Sequence, residues 1–122
     1  MTVHSLTPML RVPDVAKSLS FYVEVLGFTC ARHEQQWDWA RLVYDGAEIM
    51  LSGLNVSEGD AAPSFTGSLY LRVDDLDALW ERVKDVVKVC YSPETFAYGM
   101  REFAIYDGDG YLLQFGQDLT SA

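Results

Sequence analysis

Cysteine, histidine and basic residues are all scarce in this chain of 122 residues. Its two cysteines, Cys30 and Cys90, form no C-x-x-C pair and are too few for a disulfide framework, so reduced, inert thiols at core strand positions are expected. Lys and Arg number 9 against 18 Asp and Glu, giving a formal net charge of −9. That balance opposes counterion-release binding to a phosphate backbone, and no nucleic-acid partner is expected. No run approaches the roughly 18 apolar residues of a membrane span, and the start MTVHSLTPML lacks the basic and apolar regions of a secretory signal. The expectation is a cytoplasmic protein with no membrane partner. Also missing are a Gly-rich phosphate loop, a nucleophile beside a base and a carboxylate dyad at recognisable spacing.

What is present is an ordinary globular composition, 49% hydrophobic and 22% charged, in a length that suits one compact domain. That domain is internally duplicated. Leu10-Arg11-Val12-Pro13-Asp14-Val15 matches Leu71-Arg72-Val73-Asp74-Asp75-Leu76 at a constant offset. The offset continues into a helix, where Val15, Leu19, Tyr22 and Leu26 recur as Leu76, Trp80, Val83 and Val87 and draw one apolar stripe. Asp14 and Asp75 are the expected N-caps, with Asp74 a rival for the second, because a carboxylate there accepts the free N–H groups of the first turn.

After each helix the period changes to short β-rich runs. These are Phe28 to Glu34, Trp39 to Tyr44 and Glu48 to Ser52 in the first half, and Val87 to Tyr91, Arg101 to Tyr106 and Tyr111 to Phe115 in the second. Asp107-Gly108-Asp109-Gly110 is the hairpin turn before the last of them. The expected organisation is one domain of two βαβββ modules, 1–53 and 68–122, joined by a polar, aperiodic linker over 54–67. The expected fold class is α+β, with tandem modules forming a curved mixed sheet around a cleft and helices on the outer face.

Alternation assigns the strand faces. Leu69, Leu71 and Val73 belong under a helix, which leaves Ser68, Tyr70 and Arg72 on the open face. The same logic gives Thr7, Met9 and Arg11 from the first strand, Glu48, Met50 and Ser52 beside Ile49 and Leu51, and Glu102, Ala104 and Tyr106 beside Phe103 and Ile105. Leu112 and Gln114 follow beside Leu113 and Phe115. Hydroxyls, an amide, a thioether, rings and a few charges make a mixed surface of the kind that holds small molecules. The competing expectation is that Arg11, Arg72, Glu48 and Glu102 pair with one another and serve stability alone.

Met9-Leu10-Arg11-Val12-Pro13-Asp14, Phe21-Tyr22 with Leu26-Gly27-Phe28, and Tyr98-Gly99-Met100-Arg101-Glu102-Phe103 with Asp107-Gly108-Asp109-Gly110-Tyr111 together resemble the vicinal oxygen chelate superfamily. The branch resembled is that of the glyoxalases and bleomycin-resistance proteins, over nearly the whole chain. The resemblance places the divalent-metal positions of the family's enzymes at Thr7, Met50, Ser68 and Gln114. Two hydroxyls, a thioether and a neutral amide are poor ligands, so no metal and no cofactor are expected. His4 points away from the Thr7 face by alternation, and His33 stands alone near a turn. Loss of the ligands resembles the bleomycin-resistance members, which bind an antibiotic as dimers and stack rings on its flat heterocycles.

The resulting expectation is a metal-independent homodimer that sequesters a planar or cationic small molecule in a groove between modules or between subunits. The candidate ligand-binding residues are Trp37, Trp39, Met50, Ser68, Tyr70, Tyr98, Glu102 and Gln114, with Phe96 beside them. No catalytic residue is assigned. The alternative is a glyoxalase-, lyase- or dioxygenase-type enzyme whose metal is held by Glu48 and Glu102 with His4 or His33, or whose lone base is Glu102. A third possibility is an interaction module whose open faces pack together, filled by Met9, Met50, Tyr70 and Leu112.

Overall fold

The structure is a computed structural model that describes residues 1–54 and 62–120. It divides into two compact units, Met1–Pro63 and Ser64–Ala122. Residues 55–61 of the expected linker lie outside the described residues.

The first unit runs β1 (Met9–Val12), α1 (Val15–Ser20), a π-helical turn (Phe21–Val25), β2 (Thr29–Glu34), a 3-10 turn (Gln35–Trp37), β3 (Trp39–Tyr44) and β4 (Ala47–Gly53). Asp14 caps α1 by accepting the Lys17 N–H at 3.1 Å, as the capping argument requires. Val15, Tyr22 and Leu26 are buried, while Leu19 is only half-buried and Ser18 takes a buried place in the stripe. Gly27, at φ 88°, turns the chain out of the helix, and the Phe28 N–H returns to the Tyr22 carbonyl at 2.9 Å. The strands order β1-β4-β3-β2, with β1 parallel to β4 and the other pairs antiparallel.

The second unit repeats the pattern as β5 (Ser68–Arg72), α2 (Leu76–Val83), β6 (Lys88–Thr95), β7 (Met100–Tyr106) and β8 (Leu112–Asp118), ordered β5-β8-β7-β6. Asp75, not Asp74, caps α2 through the Ala78 N–H at 3.3 Å. Under α2 the Phe103 ring lies 5.2 Å from Trp80 and 5.1 Å from Phe115, between centroids. Asp107 Oδ1 closes the β7–β8 turn by accepting the N–H groups of Asp109 and Tyr111, each at 2.9 Å. Each unit is thus a four-stranded mixed sheet with its helix on one face, an α+β arrangement of βαβββ modules. No helix among the described residues is long and apolar enough to cross a membrane.

Several details depart from the sequence reading. Thr7 precedes β1, which starts at Met9. Val87 leaves the helical stripe, because α2 ends at Val83 and the Val86 N–H turns back to the Val83 carbonyl at 3.0 Å. β6 continues to Thr95, and β8 covers Leu112–Asp118 instead of Tyr111–Phe115, because their ladders with β7 extend through Arg101↔Thr95 and Met100↔Asp118. Cys30 and Cys90 are exposed and not in a core. Both sit on the outermost strands, β2 and β6, beside breaks in register where the chain bulges away from its neighbour.

Candidate functional site

The register of the second sheet sets a grid of side chains on the face opposite α2. Tyr70, Gln114, Ala104 and Tyr91 align across β5, β8, β7 and β6; the next row is Arg72, Gly116, Glu102 and Glu94. Each row holds one small residue, Ala104 in the first and Gly116 in the second, so the side chains on either side of it can meet across it. Ala104 is the gap over which Gln114 Nε2 donates to the Tyr91 hydroxyl at 3.0 Å. Gly116 is the gap through which Tyr70 reaches diagonally to donate to Glu102 Oε2 at 2.6 Å. A Cβ on Gly116 would stand 2.0 Å from the Tyr70 hydroxyl oxygen, so only glycine leaves this path open.

Glu102 is the centre of the grid, at 5% exposure. Tyr70 serves its Oε2, and Tyr91 donates more distantly to its Oε1 at 3.4 Å. Ser68 donates to Gln114 Oε1 at 2.5 Å, which fixes the amide so that its nitrogen faces Tyr91. The expected pairing of Arg11, Arg72, Glu48 and Glu102 with one another is therefore replaced by other partners. Phenols take Glu102, Arg72 lies 5.6 Å over the Tyr70 ring, Arg11 donates to Ser52 at 2.9 Å, and Glu48 approaches Arg41 at 3.8 Å.

Burial and the acceptor and charge of Glu102 push the Tyr70 phenol far above its ordinary value of 10.0. Burial raises Tyr91 as well, with Glu102 adding to the rise and the Gln114 amide opposing it. At Tyr98, desolvation and then the same carboxylate act upward. A raised phenol pKa means that the folded protein keeps a proton which the unfolded chain releases near pH 10. The stability from this network is complete below that pH and falls as the pH rises through the folded values. Urea unfolding followed over an alkaline series should show that decline, and Tyr70→Phe should flatten it. An identical decline in Tyr70→Phe would remove Tyr70 as its source.

Aromatic rings rim the network. Phe96 and Tyr98 stack at 5.3 Å with an interplanar angle of 8°, and Tyr91 meets Phe96 edge-on at 6.3 Å. Tyr98 is 65% exposed, so one face of the pair is open.

Of the expected ligand-binding residues, Ser68, Tyr70, Tyr98, Glu102 and Gln114 thus come together in the second unit. Trp37, Trp39 and Met50 belong to the first. There Met50 aligns with Met9 and Arg41, and Trp39 with Ser52 and Glu34. Trp37 is covered on one face by the Arg32 guanidinium, 5.2 Å from its ring, and Arg32 also binds Glu34 at 2.8 Å. Tyr91 was not a sequence candidate. The register break between Val89 and Tyr91 shifts it out of simple alternation, and its place opposite the small Ala104 is the signal that identifies it.

At the four positions that the family resemblance assigns to the enzymes' metal, Ser68 and Gln114 are hydrogen-bonded to each other, Met50 lies on β4, and Thr7 precedes β1. No three His, Cys, Asp or Glu residues gather as a metal site among the described residues.

The duplicated βαβββ fold and the grid on its sheet define the protein's class. Residues 3–115 match the family model of the Glyoxalase/Bleomycin resistance protein/Dioxygenase superfamily, and the chain belongs to that superfamily. Bleomycin resistance proteins of Geobacillus stearothermophilus and Staphylococcus aureus are 30% identical to it, over 93% of this chain and 96% of theirs. An antibiotic binding protein from Streptomyces sp. CB03234 shares 27% identity with a TM-score of 0.78, covering 97% of this chain and 98% of its own. The bleomycin-binding protein of Streptomyces verticillus, solved with copper(II)-bleomycin, shares the fold at a TM-score of 0.69 and 24% identity, over 94% and 96% of the two chains.

Proposed function

We propose that this protein binds and sequesters a planar or cationic small molecule without metal and without chemistry. The Glu102 network beside the Phe96–Tyr98 pair carries the reading, because it joins a buried carboxylate to an open aromatic face in one unit. Such a surface offers stacking and charge, each suited to holding a flat, positively charged compound. The bleomycin-resistance relatives and the antibiotic-binding neighbour support the same direction. The positions assigned to the metal carry neutral side chains, two of which, Ser68 and Gln114, bond to each other, and this favours binding over catalysis. The homodimer implied by the family resemblance belongs to this reading, and sedimentation of the purified chain tests it.

Titration of the folded protein with bleomycin and a panel of planar organic cations is expected to quench its intrinsic fluorescence saturably, and equally with a chelator present. Silence from every compound overturns the binding reading. Quenching that a chelator abolishes overturns its metal independence.

A further inference from the structure

The hydrogen bonds on the open face of the second unit run in one direction. Ser68 donates to Gln114, Gln114 donates to Tyr91, and Tyr91 and Tyr70 both donate to Glu102. A hydroxyl has one hydrogen and two lone pairs. With that hydrogen committed inward, Ser68, Tyr70 and Tyr91 have only lone pairs left to offer, and an ionised Glu102 has nothing else. Apart from the second hydrogen of the Gln114 amide, the network therefore presents acceptors to an incoming molecule. It also presents charge, since no Lys or Arg forms an ion pair with Glu102 among the described residues; Arg72 lies over the Tyr70 ring in the same row, on the other side of Gly116.

A matching ligand must bring donors and positive charge together. The exposed face of Tyr98, stacked on Phe96, adds a π surface that attracts cations and accepts a flat ring. The hydrogen of the exposed Tyr98 hydroxyl can rotate about its C–O bond toward solvent, which frees the carboxylate for another donor while the ring stays stacked.

We propose that this face selects a protonated primary or secondary amine carried on a planar aromatic group, with the N–H donors on Glu102 and the ring against Tyr98. This selection rests on the binding function proposed above and narrows its ligand class. A quaternary ammonium keeps the charge but lacks the donors. An alcohol keeps one donor but lacks the charge.

Three probes with one ring separate these terms: naphthylmethylammonium, naphthylmethanol and trimethyl(naphthylmethyl)ammonium, each titrated calorimetrically at neutral pH. The primary ammonium should bind at least about tenfold more tightly than either of the others, the advantage expected when charge-assisted hydrogen bonds replace neutral ones. Glu102→Gln should bring that ratio close to one. Tyr98→Ala, a change at an exposed position, should weaken all three probes and leave the ammonium's advantage over the equally charged trimethylammonium unchanged, so the proposal stays testable if the Glu102 variant folds poorly. Equal wild-type affinities for the three probes, or a ratio that survives Glu102→Gln in a folded protein, overturn the selection. So does failure of the ammonium to bind; if bleomycin still binds, the binding function stands without it, and if bleomycin fails too, both fall.

Discussion

Phe103→Ala is expected to destabilise the protein by about 3–5 kcal/mol, the cost of deleting a fully buried ring and leaving a cavity. Phe103 has 0% exposure and lies between Trp80 on α2 and Phe115 on β8, so its removal opens both the helix contact and the stacked pair of the sheet. Phe103→Leu keeps most of the volume and should cost under about 1.5 kcal/mol. Urea unfolding of the two variants measures the difference. A loss below about 1 kcal/mol for Phe103→Ala would mean that the site collapses around the gap, contrary to the close packing of such cores. Because Glu102 is the next residue on β7 and points the opposite way, the same substitution should also loosen the Glu102 network.

Gly116→Ala should have its largest effect on the network and a smaller one on stability. The new Cβ would meet the Tyr70 hydroxyl and ring at 2.0 and 2.6 Å, which forces Tyr70 off Glu102. Tyr70 is a partly exposed side chain that can move, so the overpacking cost should fall toward the lower end of about 1–3 kcal/mol. The loss at Glu102 is greater in kind. Its closest donor departs, and the strongly raised Tyr70 titration should return toward the ordinary phenol range, as followed by tyrosinate absorbance. Combining Gly116→Ala with Tyr70→Ser should remove the clash, and the pair should show a coupling energy of about 0.5–3 kcal/mol. Additive effects would mean that Gly116 does not set the position of Tyr70.

Much of this architecture was legible because it repeats. The matched Leu-Arg-Val segments and the apolar stripes of α1 and α2 stated the duplication, and the Asp caps placed both helix starts. Alternation also put Ser68, Tyr70, Glu102 and Gln114 on one face, since a period of two is fixed by the backbone. It did not extend to Tyr91, and nothing in the sequence foretold the exposure of the two cysteines, where β6 and β2 break register against their neighbours. A bulge leaves no mark in a residue-by-residue alternation, because its cause is the partner strand.

Sequence by itself determined the α+β class, the superfamily and the aromatic residues near Tyr98. These are properties of local pattern and side-chain chemistry. Only the tertiary structure decided that Glu102 would be served by tyrosines instead of arginines, and that Gly116 and Ala104 would be the gaps making this possible. Which side chains meet across a sheet depends on strand order and register, and the neighbours that β8 brings together lie far apart along the chain.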